Sequence, residues 1–111
     1  MPLAHTRGMI QFILAAVVAT APHNPIVSID HFTFKPAVIS IRAGESVRFV
    51  NRDEEAHTVS ARDQSFDSGG LDMDGSWTHR FTKPGTYRYF CALHSYMQGT
   101  IVVVPAGGHT Q

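Results

Sequence analysis

Between Ile26 and Val104 turn-forming residues interrupt the chain roughly every ten positions, and no apolar pattern of helical period survives from one interruption to the next. Ala43-Gly44-Glu45, Ser68-Gly69-Gly70 and Lys83-Pro84-Gly85 are the clearest interruptions. The segments between them read as short strands. Ile26 to Phe32 is rich in β-branched and aromatic residues, Ala37 to Arg42 sets Ile39 and Ile41 opposite Val38 and Ser40, and Ser46 to Asn51 sets Val47, Phe49 and Asn51 on one face. His57 to Ala61, Trp77 to Phe81, Thr86 to Phe90 and Thr100 to Val104 complete the set. A chain built this way must bury one face of each strand against another sheet, so the expected class is all-β, an antiparallel sandwich or barrel.

With 111 residues, the chain is long enough for one domain. Residues 1–21 read as a secretory signal or an N-terminal anchor: Arg7 precedes the mostly apolar run Met9 to Val18, and Ala19-Thr20-Ala21 offers a small-residue end. Pro22 then stands where a cleaved chain would begin. Residues 22–111 form the single expected domain. Nine Lys and Arg balance nine Asp and Glu, so no basic excess speaks for nucleic acid and no acidic tail for a charge-steered partner. Cys91 is the one cysteine, which excludes an internal disulfide. An exported lone thiol is buried, paired with another chain, or bound to metal.

Cys91-Ala92-Leu93-His94-Ser95-Tyr96-Met97 places a thiolate, an imidazole and a thioether in one short connection between two expected strands. Residues three apart on a straight strand point to opposite faces, so convergence requires a loop here. His57 supplies a second imidazole upstream. A lone cysteine is usually a packing residue. Two imidazoles and a thiolate with a weak axial thioether are instead the trigonal set of a blue-copper site, able to serve both Cu(I) and Cu(II). His57, Cys91, His94 and Met97 are therefore the expected metal ligands, for one copper ion. With Met97 on the axis no open position remains for a substrate, which favours electron transfer over catalysis. His31 and His79 lie in strands, His5, His23 and His109 near the ends, and Met73 between two acids, so none shares this context.

The chain resembles the cupredoxins, the type 1 blue copper proteins, and within them the amicyanin and plastocyanin–pseudoazurin group. The resemblance runs over Phe34-Lys35-Pro36, Ala43-Gly44-Glu45-Ser46-Val47, Phe49-Val50-Asn51, Phe66-Asp67-Ser68-Gly69, Phe81 to Tyr87, and the C-x2-H-x2-M spacing. It implies a Greek-key β-sandwich of about eight strands with copper at one end. It also implies that the protein is no enzyme but a periplasmic, monomeric carrier of single electrons, working between redox protein partners such as a dehydrogenase or a cytochrome. A periplasmic copper chaperone or storage module and a metal-free sandwich are the alternative readings. Asn51 is expected to aim its backbone N–H at the thiolate and to tie the ligand loops with its side chain. Leu93 stands where the group has Pro, so its N–H is expected to donate to the Cys91 sulfur and raise the potential. Ala56, Leu93, Tyr96 and Met97 are expected to form an apolar patch around His94.

Overall fold

The structure, a computed structural model, describes residues 24–107. The expected signal or anchor over 1–21 lies outside the described residues. Eight strands follow in order: β1 Ile26–Asp30, β2 Thr33–Lys35, β3 Val38–Arg42, β4 Ser46–Asn51, β5 Ser60–Ala61, β6 Ser76–Arg80, β7 Gly85–Cys91 and β8 His94–Val104. They form two four-stranded sheets, β2-β1-β4-β6 and β3-β8-β7-β5, with no helix among the described residues. The sandwich agrees with the sequence pattern and the eight strands with the family resemblance, β2 being the strand that the pattern does not mark. The purely antiparallel pairing does not, because β1 runs parallel to β4 and β3 parallel to β8. The chain changes sheet between β2 and β3 and again between β3 and β4. Strands reached by changing sheet need not turn back beside their predecessor, so they can lie parallel to a later strand.

The alternation places the core as expected. Val27, Ile29, Val47 and Phe49 point inward from the first sheet, and Ile39, Ile41, Tyr89, Ile101 and Val103 from the second. Each such side chain contributes roughly 1.5–3 kcal/mol on leaving water. Tyr89 is fully buried, edge-on to Phe34 and Phe49 with ring centroids 4.8 and 5.5 Å away. Its partner across the ladder is Gly99, where a side chain would collide with the Tyr89 ring and hydroxyl. The glycine therefore lets an aromatic ring cross the β7–β8 pair just below the end of the sandwich that carries Cys91 and His94.

Several strand ends shift by a residue or two from the sequence reading, and two of the differences matter for the site. His57 lies outside β5 and forms an isolated bridge with Leu71, giving its N–H to Leu71 O at 3.1 Å and accepting from Leu71 N at 2.7 Å. The strand expected from Thr100 begins instead at His94, so His94 and Met97 both belong to β8.

Candidate metal centre

The β7–β8 hairpin achieves with a break in register what a short loop between strands was expected to do. Tyr89 pairs with Gly99 and Phe90 with Gln98, but Cys91 pairs with His94. Ser95, Tyr96 and Met97 are thus left without partners on β7, an enlarged bulge that re-aims the strand end. Cys91 and His94 come face to face across the turn Ala92-Leu93, and Met97 turns inward to 2% exposure. From the other side, the His57–Leu71 bridge fixes the backbone of His57, whose ring is fully buried.

Cys91 Sγ lies 3.6 Å from His57 Nδ1 and 3.7 Å from His94 Nδ1. One ligand atom from each of the three residues falls within 4.8 Å of the other two, the metal-type cluster found among the described residues. Metal–ligand bonds of about 2.0–2.3 Å spread at roughly 120° set nitrogen and sulfur some 3.6–3.8 Å apart. The two observed sulfur–nitrogen separations match those of a trigonal set of two nitrogens and one sulfur, and the side chains present fit a copper ion. Of the residues expected from the sequence, the structure brings His57, Cys91 and His94 together. Met97 is buried in the same displaced stretch of β8 and so forms no part of a surface patch; Leu93 and Tyr96, at 60% and 69% exposure, do flank His94 on the outside.

The expected supports of the thiolate need correction. Asn51 N–H donates to Gly75 O, and the backbone N–H that reaches Cys91 Sγ, at 3.3 Å, is that of Thr58. The reason is chain geometry: Asn51 ends β4 before the chain crosses to the Cys91 side, whereas Thr58 adjoins His57. Thr58 Oγ1 also accepts from Ala92 N at 2.7 Å, so this one residue clasps the His57 segment to the Cys91–His94 turn. Asn51 keeps a tying role elsewhere. Its side-chain N–H groups donate to Glu55 O and Leu71 O, both at 2.8 Å, and its Oδ1 accepts from Asp53 N. Leu93 N–H makes no hydrogen bond to the sulfur among the described residues; the ladder closes as far as Cys91–His94 and leaves Leu93 in the exposed turn.

Two neighbours escaped the sequence reading. Asp53 Oδ2 lies 2.9 Å from His57 Nε2. Phe32 packs edge-on against both imidazoles, its centroid 4.9 Å from that of His57 and 4.9 Å from that of His94. Burial alone raises the Asp53 carboxyl, but the N–H groups of Phe32 and His31, with the His57 ring, outweigh it and hold the group below the usual carboxylate range. Asp53 precedes His57 by one helical-type interval, but Glu54 and Glu55 follow it directly, and nothing in the sequence singles out one acid of the three.

A β-sandwich with a buried cysteine sulfur and two imidazoles converging at one end has the architecture of a type 1 copper protein. The chain belongs to the cupredoxin family: the cupredoxin-like domain matches residues 8–103. It is 28% identical over 83 residues to amicyanin of Paracoccus versutus, covering 70% of this chain and 63% of that protein's length. Amicyanin-alpha of Methylorubrum extorquens is 27% identical over 103 residues, covering 88% of this chain and 87% of that one. Plastocyanin of Scenedesmus fuscus is 34% identical over 83 residues, covering 63% and 85%. Among solved structures, a reduced amicyanin variant superimposes with a TM-score of 0.69 at 23% identity, over 78% of this chain and 87% of that one. The copper-containing nitrite reductase of Thermus scotoductus gives 0.69 at 32% identity, over 77% of this chain but 23% of its own, so the likeness is to one domain of a larger enzyme.

Proposed function

We propose that the protein is a type 1 copper electron carrier, exported to the periplasm and passing single electrons between redox protein partners. The observation that carries this reading is the convergence of His57 Nδ1, Cys91 Sγ and His94 Nδ1, with sulfur–nitrogen separations of 3.6 and 3.7 Å, His57 and Cys91 being buried and His94 half-buried. In this reading those three atoms would hold the ion, with the Met97 thioether as a fourth, weaker donor. Copper supplies the one-electron couple. The protein supplies a fixed donor set: the Leu71 bridge holds His57, the Thr58 N–H holds the sulfur, and the β-ladder holds His94. A donor set that need not rearrange between oxidation states keeps the barrier to transfer low. The family likeness to amicyanin and plastocyanin supports a carrier rather than an enzyme.

Partners are expected to dock where His94 is half-exposed between Leu93 and Tyr96. Electron-transfer encounters are small, so a modest apolar surface suffices. Voltammetry of the copper-loaded protein tests the reading: a reversible one-electron couple is expected. Tight Cu(I) binding without a reversible couple would instead favour a chaperone or store.

A further inference from the structure

The carrier reading uses four side chains and leaves Asp53 without a role, yet Asp53 is among the most constrained groups near the site. Its Oδ1 accepts from His31 N at 2.8 Å, and its Oδ2 accepts from Phe32 N at 2.9 Å and faces His57 Nε2 at 2.9 Å. The His57 side chain is fully buried and that of Asp53 is 10% exposed. An ionised carboxylate can only accept, so the contact places a hydrogen on Nε2 and leaves the lone pair on Nδ1, the nitrogen that faces Cys91 Sγ.

The two backbone bonds stop the carboxylate from rotating away. They also hold a turn that non-glycine residues seldom adopt: His31 and Phe32 have φ of 53° and 56°. That turn delivers the Phe32 ring against both imidazoles. One carboxylate therefore orients one candidate ligand directly and walls both through the turn.

We propose that Asp53 is the positioning residue of this centre: its carboxylate fixes His57 as the Nε2–H form, and its charge favours the more highly charged state of a bound copper ion. The inference rests on the carrier reading above. A carboxylate bonded to the outer nitrogen of a metal-binding imidazole makes the inner nitrogen more basic, which stabilises Cu(II) over Cu(I).

The first test needs no copper and no variant. Nitrogen-15 NMR of the apo protein is expected to show His57 protonated on Nε2 and bare on Nδ1; a hydrogen on Nδ1 with Nε2 bare overturns the inference. The second test is Asp53→Asn, which keeps an acceptor for the ring but removes the charge. The ratio of Cu(II) to Cu(I) affinity is expected to fall at least about tenfold, which for a one-electron couple raises the potential by about 59 mV. Asp53→Glu, which keeps the charge, is expected to remain near the wild-type potential, and a Glu variant shifted as far as the Asn variant overturns the charge argument. A blue, reversible Asp53→Asn protein at the wild-type potential overturns this inference and leaves the carrier reading standing. Wild-type protein that takes up no copper overturns both.

Discussion

Replacing Thr58 by valine keeps the side chain's shape and removes one oxygen, and the structure says what that oxygen does. Ala92 N–H donates to Thr58 Oγ1 at 2.7 Å. Thr58 Oγ1 lies 2.9 Å from Ser60 Oγ, which in turn donates to Asp67 Oδ1 at 3.2 Å. The bonds run in one direction: Ala92 N–H gives to Thr58, Thr58 O–H to Ser60 and Ser60 O–H to Asp67. A valine side chain cannot accept, so a half-buried N–H is stranded in the ligand turn, while Ser60 loses a donor it can better spare. An unsatisfied buried group costs about 1–3 kcal/mol, and about 2 kcal/mol is the expected loss here. For a domain of this size that lowers the melting temperature by roughly 8–16 °C. Urea unfolding of the apo protein isolates the effect from metal binding; the midpoint should fall with no change in slope. Thr58→Ser keeps the chain of bonds and loses only a methyl, so it should retain most of the stability. The thiolate N–H bond comes from the backbone and survives in both. A Thr58→Val protein as stable as wild type, or more stable than Thr58→Ser, would refute the claim that Thr58 clasps the two ligand segments.

Three other outcomes follow from the same geometry. Gly99→Ala should cost about 1–3 kcal/mol in chemical denaturation, because the new methyl overlaps the buried Tyr89 ring, and the cost should shrink in a Tyr89→Leu background; equal costs in both backgrounds would show that the ring is not the obstacle. Asn51→Leu should lose more than about 3 kcal/mol, since Glu55 O, Leu71 O and Asp53 N all lose a partner to a fully buried apolar side chain; a loss under about 1 kcal/mol by urea unfolding would contradict this. Burial lowers the pKa of His79, which stacks on Trp77 with ring centroids 5.1 Å apart. The unfolded chain therefore binds this proton more readily than the folded one. The His79 contribution is full above the unfolded histidine value and is lost as pH falls through the folded value, so a melting series should lose part of its acid-side slope in His79→Phe, and an unchanged slope would contradict the assignment.

How far the sequence reached depends on which physical signal each feature leaves. Alternation is local, and Val47-x-Phe49-x-Asn51 or Ile39-x-Ile41 announce their buried face directly. Cys91 and His94 were legible for a similar reason, since soft and nitrogen ligands rarely crowd one short segment by accident, and His57 supplied the second imidazole that a trigonal set needs. Parallel pairing of β1 with β4 leaves no such mark, because it depends on where the chain changes sheet. The register break after Phe90 is equally silent: nothing in Ser95-Tyr96-Met97 says that these residues lack partners on β7 until the pairing of Cys91 with His94 is known. The thiolate role expected of Asn51 rests on the family resemblance, the family keeping an Asn six positions before the residue that matches His57. The role falls to Thr58 because a backbone N–H is offered by any residue, and only position decides which one reaches the sulfur. Asp53 was hidden among Asp53-Glu54-Glu55 until the β1–β2 turn supplied its other two partners.

The central claim is that His57, Cys91 and His94 bind one copper ion through a buried thiolate, and absorption spectroscopy during titration of the apo protein with Cu(II) tests it most directly. The expected result is an intense blue thiolate-to-copper band that saturates at one equivalent and is absent in Cys91→Ser. A colourless complex, or a band that survives in Cys91→Ser, would contradict it.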